Sequence, residues 1–385
     1  MESIDYLREL AAVAPDRGSA SLHERQAAQW ITQRLRAMGY TVSEEPFRTT
    51  RDNLYLMPVQ VFALAIMAGW LSLAGYKWLP LVLLAYGLAV LLVEVSGHPL
   101  DLSAMPRFWS QNVYTEPVDA SSPTIFVTAH YDTQRGSFLF HPRLLQYLAG
   151  FFRLCYAGLL LVLFGVVAES AGWRAGLPLV VAGLTGCVMV LIVFGVAEIT
   201  GRYTPGANDN GTGTALALYL AEDYVHCRGD YPAGCELRFL FTGSEEAGEK
   251  GMKAFLRAQR SRLGKQVTMF VNLDNLGTGR LTYLSGEGIV WYRRAGRALL
   301  AAARETPEAQ ERKNLLLPTD ALPASALGYE AISFLGLEPN GHPGNYHYRT
   351  DTAENVQPQF LRFQQGYFKR YLMQVMSGRP GAPIA

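Results

Sequence analysis

The amino-acid sequence predicts an α/β protein: a three-layer sandwich with a central mixed, mostly parallel sheet, plus four transmembrane helices inserted as two hairpins. Three patterns lead there. Short apolar runs, Thr124–Ala129, Leu237–Phe241 and Val267–Leu273 among them, alternate with amphipathic stretches, the order that builds a largely parallel sheet with helices on its faces. Four much longer apolar stretches, Leu54–Tyr76, Trp78–Val93, Leu154–Ala168 and Ala175–Ala197, break into that alternation. Several of the short runs end on acids or histidine, where plain turn residues would serve.

Taken in order, residues 2–38 read as a polar loop and a helix, His23–Met38, with Ala27, Ala28, Ile31 and Leu35 on one face and Gly39 as its stop. A strand, Tyr40–Phe47, leads into the first long pair. Val113–Pro117 and Thr124–Ala129 read as two further strands, the second running into His130, Tyr131, Asp132 and Thr133. After the second long pair, a Gly-rich turn at Pro205–Ala215 starts a helix through Leu220. The strand Leu237–Phe241 is followed by a Thr-Gly-Ser turn, the adjacent acids Glu245 and Glu246, and a helix Gly248–Arg262. Val267–Leu273 ends at Asp274 and Asn275. A helix Ile289–Arg304, a short strand Ala331–Phe334, a loop over Pro339–Thr350 and an amphipathic helix Gln357–Met376 complete the chain. Asp351 and Glu354 are expected to cap the turn before that last helix.

The 385 residues suffice for one large domain or two ordinary ones. Lys plus Arg number 34 against 33 Asp plus Glu, a net charge of +1, so no cationic excess exists to neutralise a run of phosphates, and no nucleic-acid partner is expected. The 49% hydrophobic share is ordinary for a globular chain; its uneven distribution is not. The first and fourth long stretches carry no charge over about 23 residues, enough to cross roughly 30 Å of hydrocarbon at 1.5 Å per residue. The second and third are shorter, and each is joined to a long partner by a tight polar turn, through Lys77 and through Glu169–Arg174. The hairpins are therefore expected at 54–96 and 144–198, leaving 1–53, 97–143 and 199–385 as one domain. Buried core helices are the alternative, but four uncharged segments exceed what one soluble core usually holds.

An even number of crossings puts all three pieces of the domain on one side. That side carries Arg48, Arg51, Arg107, Arg135, Arg143, Arg153 and Arg202 near the crossings, against Lys77 and Arg174 at the hairpin tips. The positive-inside rule then has the domain face the cytoplasm, in a multi-pass protein of the inner or plasma membrane. Met1–Asp5 leads into a mixed polar helix, not the pattern of a cleavable signal peptide. Cys155 and Cys187 fall in the apolar helices; Cys227 and Cys235 flank a turn and are expected to stay reduced.

The chemistry is expected where the strands end. Glu245 and Glu246 repel each other unless a cation sits beside them, which suits one metal ligand and one proton shuttle. His130, Asp209 and Asp274 end other strands or open other turns, and His347 lies in the late loop. In an open α/β sheet such ends converge on one edge, and a set of His and carboxylate without Cys suits catalytic zinc, or manganese or cobalt. Singly, each has a bland reading as a surface turn or a helix cap.

Together, in this order, the blocks HYD at 130–132, GANDNGTG at 206–213, EEAGEKGM at 245–252, NLDNLG at 272–277 and YHYRTDT at 346–352 resemble the M28 family of zinc peptidases, its aminopeptidase group in particular. The resemblance implies a zinc-peptidase sandwich and two zinc ions. It makes Asp209 the carboxylate bridging both, with Glu246 and His347 completing one site and His130 and Asp274 the other. Glu245 would be the general base, Asp132 the partner that orients the His130 imidazole, and Tyr346 an oxyanion donor. His347 is preferred to His342 because its spacing to Asp351 and Thr352 follows the family pattern. Asp320 stands where the family has an acid near the substrate, but Ala321 follows it where a His is usual.

The departure is architectural. Residues 133–208, between the HxD block and the bridging Asp, contain a whole hairpin where soluble relatives have a short loop. The site is therefore expected near the membrane surface, favouring amphipathic or membrane-released peptides. Two other functions fit the same blocks: a glutaminyl-cyclase-like acyltransferase, and an inactive membrane scaffold with the peptidase fold. Oligomeric state is not encoded in any pattern found.

Overall fold

The computed structural model describes residues 1–51, 56–118, 122–315 and 318–378. The expected Leu54 start of the first hairpin, its boundary with residues 1–53 and the Gly/Pro end of the chain lie outside the described residues. Two helices, α1 (Ser3–Val13) and α2 (Leu22–Ala37), precede β1 (Val42–Thr49). The first apolar hairpin is α3 (Leu56–Leu73) and α4 (Trp78–Val95). Then come β2 (Phe108–Thr115), β3 (Thr124–His130) and the two-residue β4 (Arg135–Gly136). The second hairpin is α5 (Leu148–Ser170) and α6 (Gly176–Thr200), followed by β5 (Arg202–Tyr203). The rest alternates: α7 (Gly213–His226), β6 (Glu236–Thr242), α8 (Lys250–Ala258), β7 (Thr268–Asp274), β8 (Arg280–Glu287), β9 (Arg293–Arg294), α9 (Arg297–Glu305), β10 (Gln310–Asn314), α10 (Ala321–Ala326), β11 (Glu330–Leu337) and α11 (Pro358–Ser377).

The main sheet runs β1-β2-β6-β3-β7-β11-β8-β10, with β9 on β8. Its centre, β6, β3, β7 and β11, is parallel, while β1, β2 and the β11–β8 and β8–β9 pairs are antiparallel. This is the mixed sheet with flanking helices that the alternation predicted. Side chains of β3 alternate between the two faces: Ile125, Val127 and Ala129 join the core under α1, α2 and α7, while Phe126 packs on Phe255 and Phe270 under α8. Strands buried on both faces read as continuous apolar runs, which is why β3, β6 and β7 were legible.

The expected helix Ile289–Arg304 is mostly something else. The sheet extends through β8, a turn carries Ile289 to Tyr292, β9 returns, and only Arg297–Glu305 is helical. Val290 and Trp291, inside the expected helix, are exposed on that turn. Nor do Asp351 and Glu354 form the expected cap. The Asp351 carboxylate accepts the N–H groups of Asn208 and Asp209, 2.6 and 3.0 Å away, across the molecule.

Four helices among the described residues are long and apolar enough to cross a membrane, and only 28–33% of their residues are buried, so most of their apolar surface has no protein partner. The two shorter stretches, Trp78–Val93 and Leu154–Ala168, belong to helices of 18 and 23 residues, longer than the sequence suggested, while α3 has 18 described residues. α4 continues past Val93 because the charge of Glu94, which seemed to end it, is satisfied: Lys250 Nζ stands 3.0 Å and Lys253 Nζ 3.5 Å from its carboxylate, all three buried. The second hairpin closes tightly. A Cβ on Gly183 would come within 2.6 Å of the Val162 backbone nitrogen, and one on Gly165 equally close to that of Val180, the small-residue contact that lets two apolar helices pack. At the base, β4 and β5 pair antiparallel and pinch the hairpin where it leaves the domain. Gly183→Ala is expected to lower the thermal unfolding midpoint of the purified protein, at a cost of about 1–3 kcal/mol from overpacking. Gly195→Ala, where no atom lies within 4 Å of the added methyl, should not lower it.

Candidate metal centre

Three neighbouring parallel strands deliver the first ligands. β3 ends on His130 and β7 on Asp274, while β6, paired with β3 through His130 and Thr242, continues into the turn that carries Glu245 and Glu246. Asp209 rides on the irregular turn 207–212 before α7, and His347 on the loop between β11 and α11. The backbone is strained here. Ser244, Glu249, Asn275, Asn345 and His347 all hold a left-handed φ between 48° and 59° without being glycine, a conformation that tends to collect at functional sites.

All six side chains converge. His130 Nε2 lies 3.3 Å from Asp209 Oδ1, 3.4 Å from Asp274 Oδ1 and 3.9 Å from Glu245 Oε2. His347 Nε2 lies 3.0 Å from Asp209 Oδ2 and 3.3 Å from Glu246 Oε2. Asp209 thus turns one oxygen to each imidazole. These approaches are not a hydrogen-bonded network: Asp209 Oδ2 and Glu246 Oε1 are buried with no hydrogen-bond partner. Five buried or nearly buried carboxyls, Asp132, Asp209, Glu245, Glu246 and Asp274, face two imidazoles. Buried negative charge in this excess calls for a cation, and His with carboxylate is the donor set of zinc or a similar divalent ion. His130 with Glu245 and Asp274, and His130 with Asp209 and Glu246, each bring three ligand atoms within 4.8 Å of one another.

Burial and mutual charge shift the proton affinities of the cluster. Burial pushes the Glu246 carboxyl up to about 7 against the pull of His347, and burial also raises Glu245 well above the carboxylate range, with Glu246 adding to it. Burial alone would lower His347, but the carboxylates of Glu246 and Asp209 raise it to about 10. Asp209 moves the other way, held down by the two imidazoles in spite of its burial.

The supporting contacts differ in part from those expected. The Asp132 carboxylate accepts the N–H groups of Glu245 and Glu246 at 2.9 and 3.1 Å, so it shapes the turn that bears them. The His130 Nδ1 is nearest the Asp132 carbonyl oxygen, at 3.2 Å, with the carboxylate at 3.6 Å. Tyr346 stacks its ring on His347, centroids 3.8 Å apart, and meets Phe140 edge-on. His342 lies elsewhere in its loop and Asp320 accepts from Thr242. Sequence reasoning missed Gln134, Arg17 and Glu24, the last accepting the amide and hydroxyl of Ser244 just before Glu245. Gln134 Nε2 donates to Glu246 Oε2 at 3.1 Å. Arg17, fully buried, donates to the carbonyls of Tyr131, Ala14, Pro205 and Gly206, tying the segment after β3 to the one before Asp209. A lone Arg in a polar loop gives no local sign of such a role; the position of Gln134, two residues after Asp132, was the only hint for it.

A mixed sheet with flanking helices and a histidine–carboxylate cluster at the ends of its parallel strands defines the zinc aminopeptidase class of fold. Solved structures share it: the zinc aminopeptidase BSAP from Bacillus subtilis (TM-score 0.55, 13% identity, 99% of this chain and 96% of that one) and a glutaminyl cyclase from Bacteroides thetaiotaomicron (0.55, 11%, 98% and 97%). At those identities the likeness is one of fold. Residues 193–366, from the end of α6 into α11, match the family model described as Peptidase family M28. Aminopeptidase YwaD of Bacillus subtilis (strain 168) is 34% identical over 76 residues, which span 20% of this chain and 16% of that protein.

Two outcomes are expected. Asp132→Asn, which leaves one N–H of the Glu245–Glu246 turn facing an amide NH2, should weaken zinc binding about 10–100-fold in a competition titration. Zinc binding to the wild type should also strengthen with pH, by about tenfold or more per unit, because the carboxylates beside His347 outweigh its burial and raise it to about 10, burial raises Glu246 to about 7, and a metal must displace protons from both. A flat affinity between pH 6.5 and 8.5 would mean the imidazole is already neutral.

Proposed function

We propose that this chain is a membrane-embedded di-zinc metallopeptidase of the M28 type that removes N-terminal residues from peptides. The observation that carries the reading is the position of Asp209, 3.3 Å from His130 Nε2 by one oxygen and 3.0 Å from His347 Nε2 by the other. In this reading Asp209 bridges, His130 and Asp274 complete one site, and Glu246 and His347 complete the second. Two ions bound there would supply Lewis-acid polarisation of the scissile carbonyl and an acidified water. Glu245, the most distant of the His130 neighbours, is the general base: it takes the proton of the attacking water and returns it to the leaving amine. Its burial, which raises its proton affinity, suits both halves of that task. Asp132 fixes the turn so that Glu245 and Glu246 keep separate roles. Tyr346, kept protonated by burial and by the Asp209 charge, offers a phenolic O–H to the developing oxyanion.

The four long apolar helices support a multi-pass membrane protein with residues 1–53, 97–143 and 199–385 as its peptidase domain, and the arginines at the domain ends of the hairpins support a cytoplasmic domain. A C-terminal reporter active only outside the inner membrane would reverse that orientation.

The test is metal content and release of N-terminal residues from a peptide panel, for wild type and Glu245→Gln in parallel. Two metals per chain, with hydrolysis falling by roughly 10² or more in the variant while the metals stay bound, is the expected result. The glutaminyl-cyclase-like reading, which the shared fold keeps in view, takes over if N-terminal glutamine peptides cyclise and none are hydrolysed. No turnover at all would leave the inactive scaffold.

A further inference from the structure

We propose that the substrates are peptides whose body is an apolar, membrane-embedded segment, and that this segment lies in a groove between the α3–α4 hairpin and α5 that runs into the metal centre. The proposal rests on the peptidase reading above.

The cluster residues His130, Asp209, Glu245, Glu246, Asp274 and His347 line one cavity of about 430 Å³. That cavity is not confined to the domain. Its far wall is made by α3, α4 and α5, and it shares Val61, Leu91, Val95, Tyr156, Leu159 and Ile289 with a second cavity of about 400 Å³ among those helices. The second cavity has no charged residue in its lining; Tyr156 carries its one polar side chain. It forms because α4 packs chiefly on α3 and scarcely touches α5. On the domain side it is closed by the turn after β8, where Ile289 and Val290 reach the groove and Trp291 and Tyr292 stay exposed beside it, as aromatic residues do at a membrane interface.

The depth can be read from the helix. Leu83 lines the groove twelve residues before the Val95 end of α4, so the groove reaches roughly 18 Å along that helix at 1.5 Å per residue. That is more than half of a hydrocarbon core of roughly 30 Å. A short soluble peptide would occupy the polar end and leave these walls without a partner. An extended chain, at ~3.3–3.6 Å per residue, fills the groove with about five residues. The occupant matching both ends is a peptide with its terminal amide at the cluster and an apolar run directly behind it.

The experiment uses the full chain, zinc-loaded, in phosphatidylcholine nanodiscs. Peptides share one N-terminal dipeptide, followed by zero, three, six or twelve leucines and a lysine tag. We expect kcat/KM for release of the first residue to rise by at least tenfold up to about five or six leucines and then to level. Partitioning into the bilayer also favours apolar peptides, so each rate is compared in Leu159→Trp and in Gly87→Leu. Gly87 lines the groove, and an added Cβ there makes only an ordinary 3.6 Å contact with Leu64. Both should reduce the ratio of long-peptide to short-peptide rates by about tenfold. A second readout needs no turnover: a benzophenone at the fourth position of the six-leucine peptide should cross-link residues 83–95 of α4 and 156–163 of α5. Cleavage of the short peptide with no gain from leucines, or a gain that both variants keep, overturns the groove and leaves the peptidase reading intact. No cleavage of any peptide by the metal-loaded wild type removes the peptidase reading and the proposal with it.

Discussion

Carboxylates that accept main-chain N–H groups hold this site together. Asp132 takes the amides of Glu245 and Glu246, Asp351 those of Asn208 and Asp209, and buried Glu24 takes the amide and the hydroxyl of Ser244. In each case an acid from one segment fixes the backbone of another. The carboxyls of the cluster outnumber its two imidazoles, so attraction between them does not place all of these side chains; the backbone beneath them does. Arg17 works on the same principle with the opposite charge, gathering carbonyl oxygens from three segments. The two kinds of clamp leave the ligand atoms free to face a cation.

The hairpins enter this frame at points where the domain can hold them. The second leaves between two segments that both reach the cluster, yet the pairing of β4 with β5 brings its ends back together. Its approach is also felt at the site: Phe140, just before α5, meets the rings of Tyr346 and His347 edge-on. The first hairpin is tied by charge. Glu94, Lys250, Lys253 and Glu249 form a buried set that joins the end of α4 to the helix following the Glu245–Glu246 turn. Such a set contributes little net stability compared with apolar packing, but it specifies one register, since a shift of one residue would bury a charge without its partner.

Much of this was legible in the sequence because each part had a local signature. The strands β3, β6 and β7 are apolar on both faces, and His130, Glu245, Glu246 and Asp274 end or closely follow those runs, whereas Asp209 and His347 were legible only through the sequence blocks around them. What failed to show had its cause elsewhere in the chain. β10 is a wholly polar edge strand, and β8, though buried, interrupts its apolar residues with Thr282, Ser285 and Glu287, so neither stood out as a continuous apolar run. Asp351 looked like a local cap, because three-residue spacing to Glu354 is the sign of one; its true partners are more than 140 residues away. Glu94 seemed to end its helix because a lone charge in an apolar run reads as a boundary unless the lysines that receive it are known. The length of α4 was thus hidden by a contact across the fold.

That same contact sets an order of events during synthesis. Glu94 is made 156 residues before Lys250, an interval of roughly 8–30 s at ~5–20 residues per second. When the first hairpin is made, neither lysine yet exists, so the contacts that seat the end of α4 cannot form at that stage. It is seated later, when α8 emerges and docks, and the groove beside it takes shape only then. Seating of the first apolar hairpin and folding of the domain around α8 are therefore one process, in which the helix that arrives early waits for the helix that fixes it.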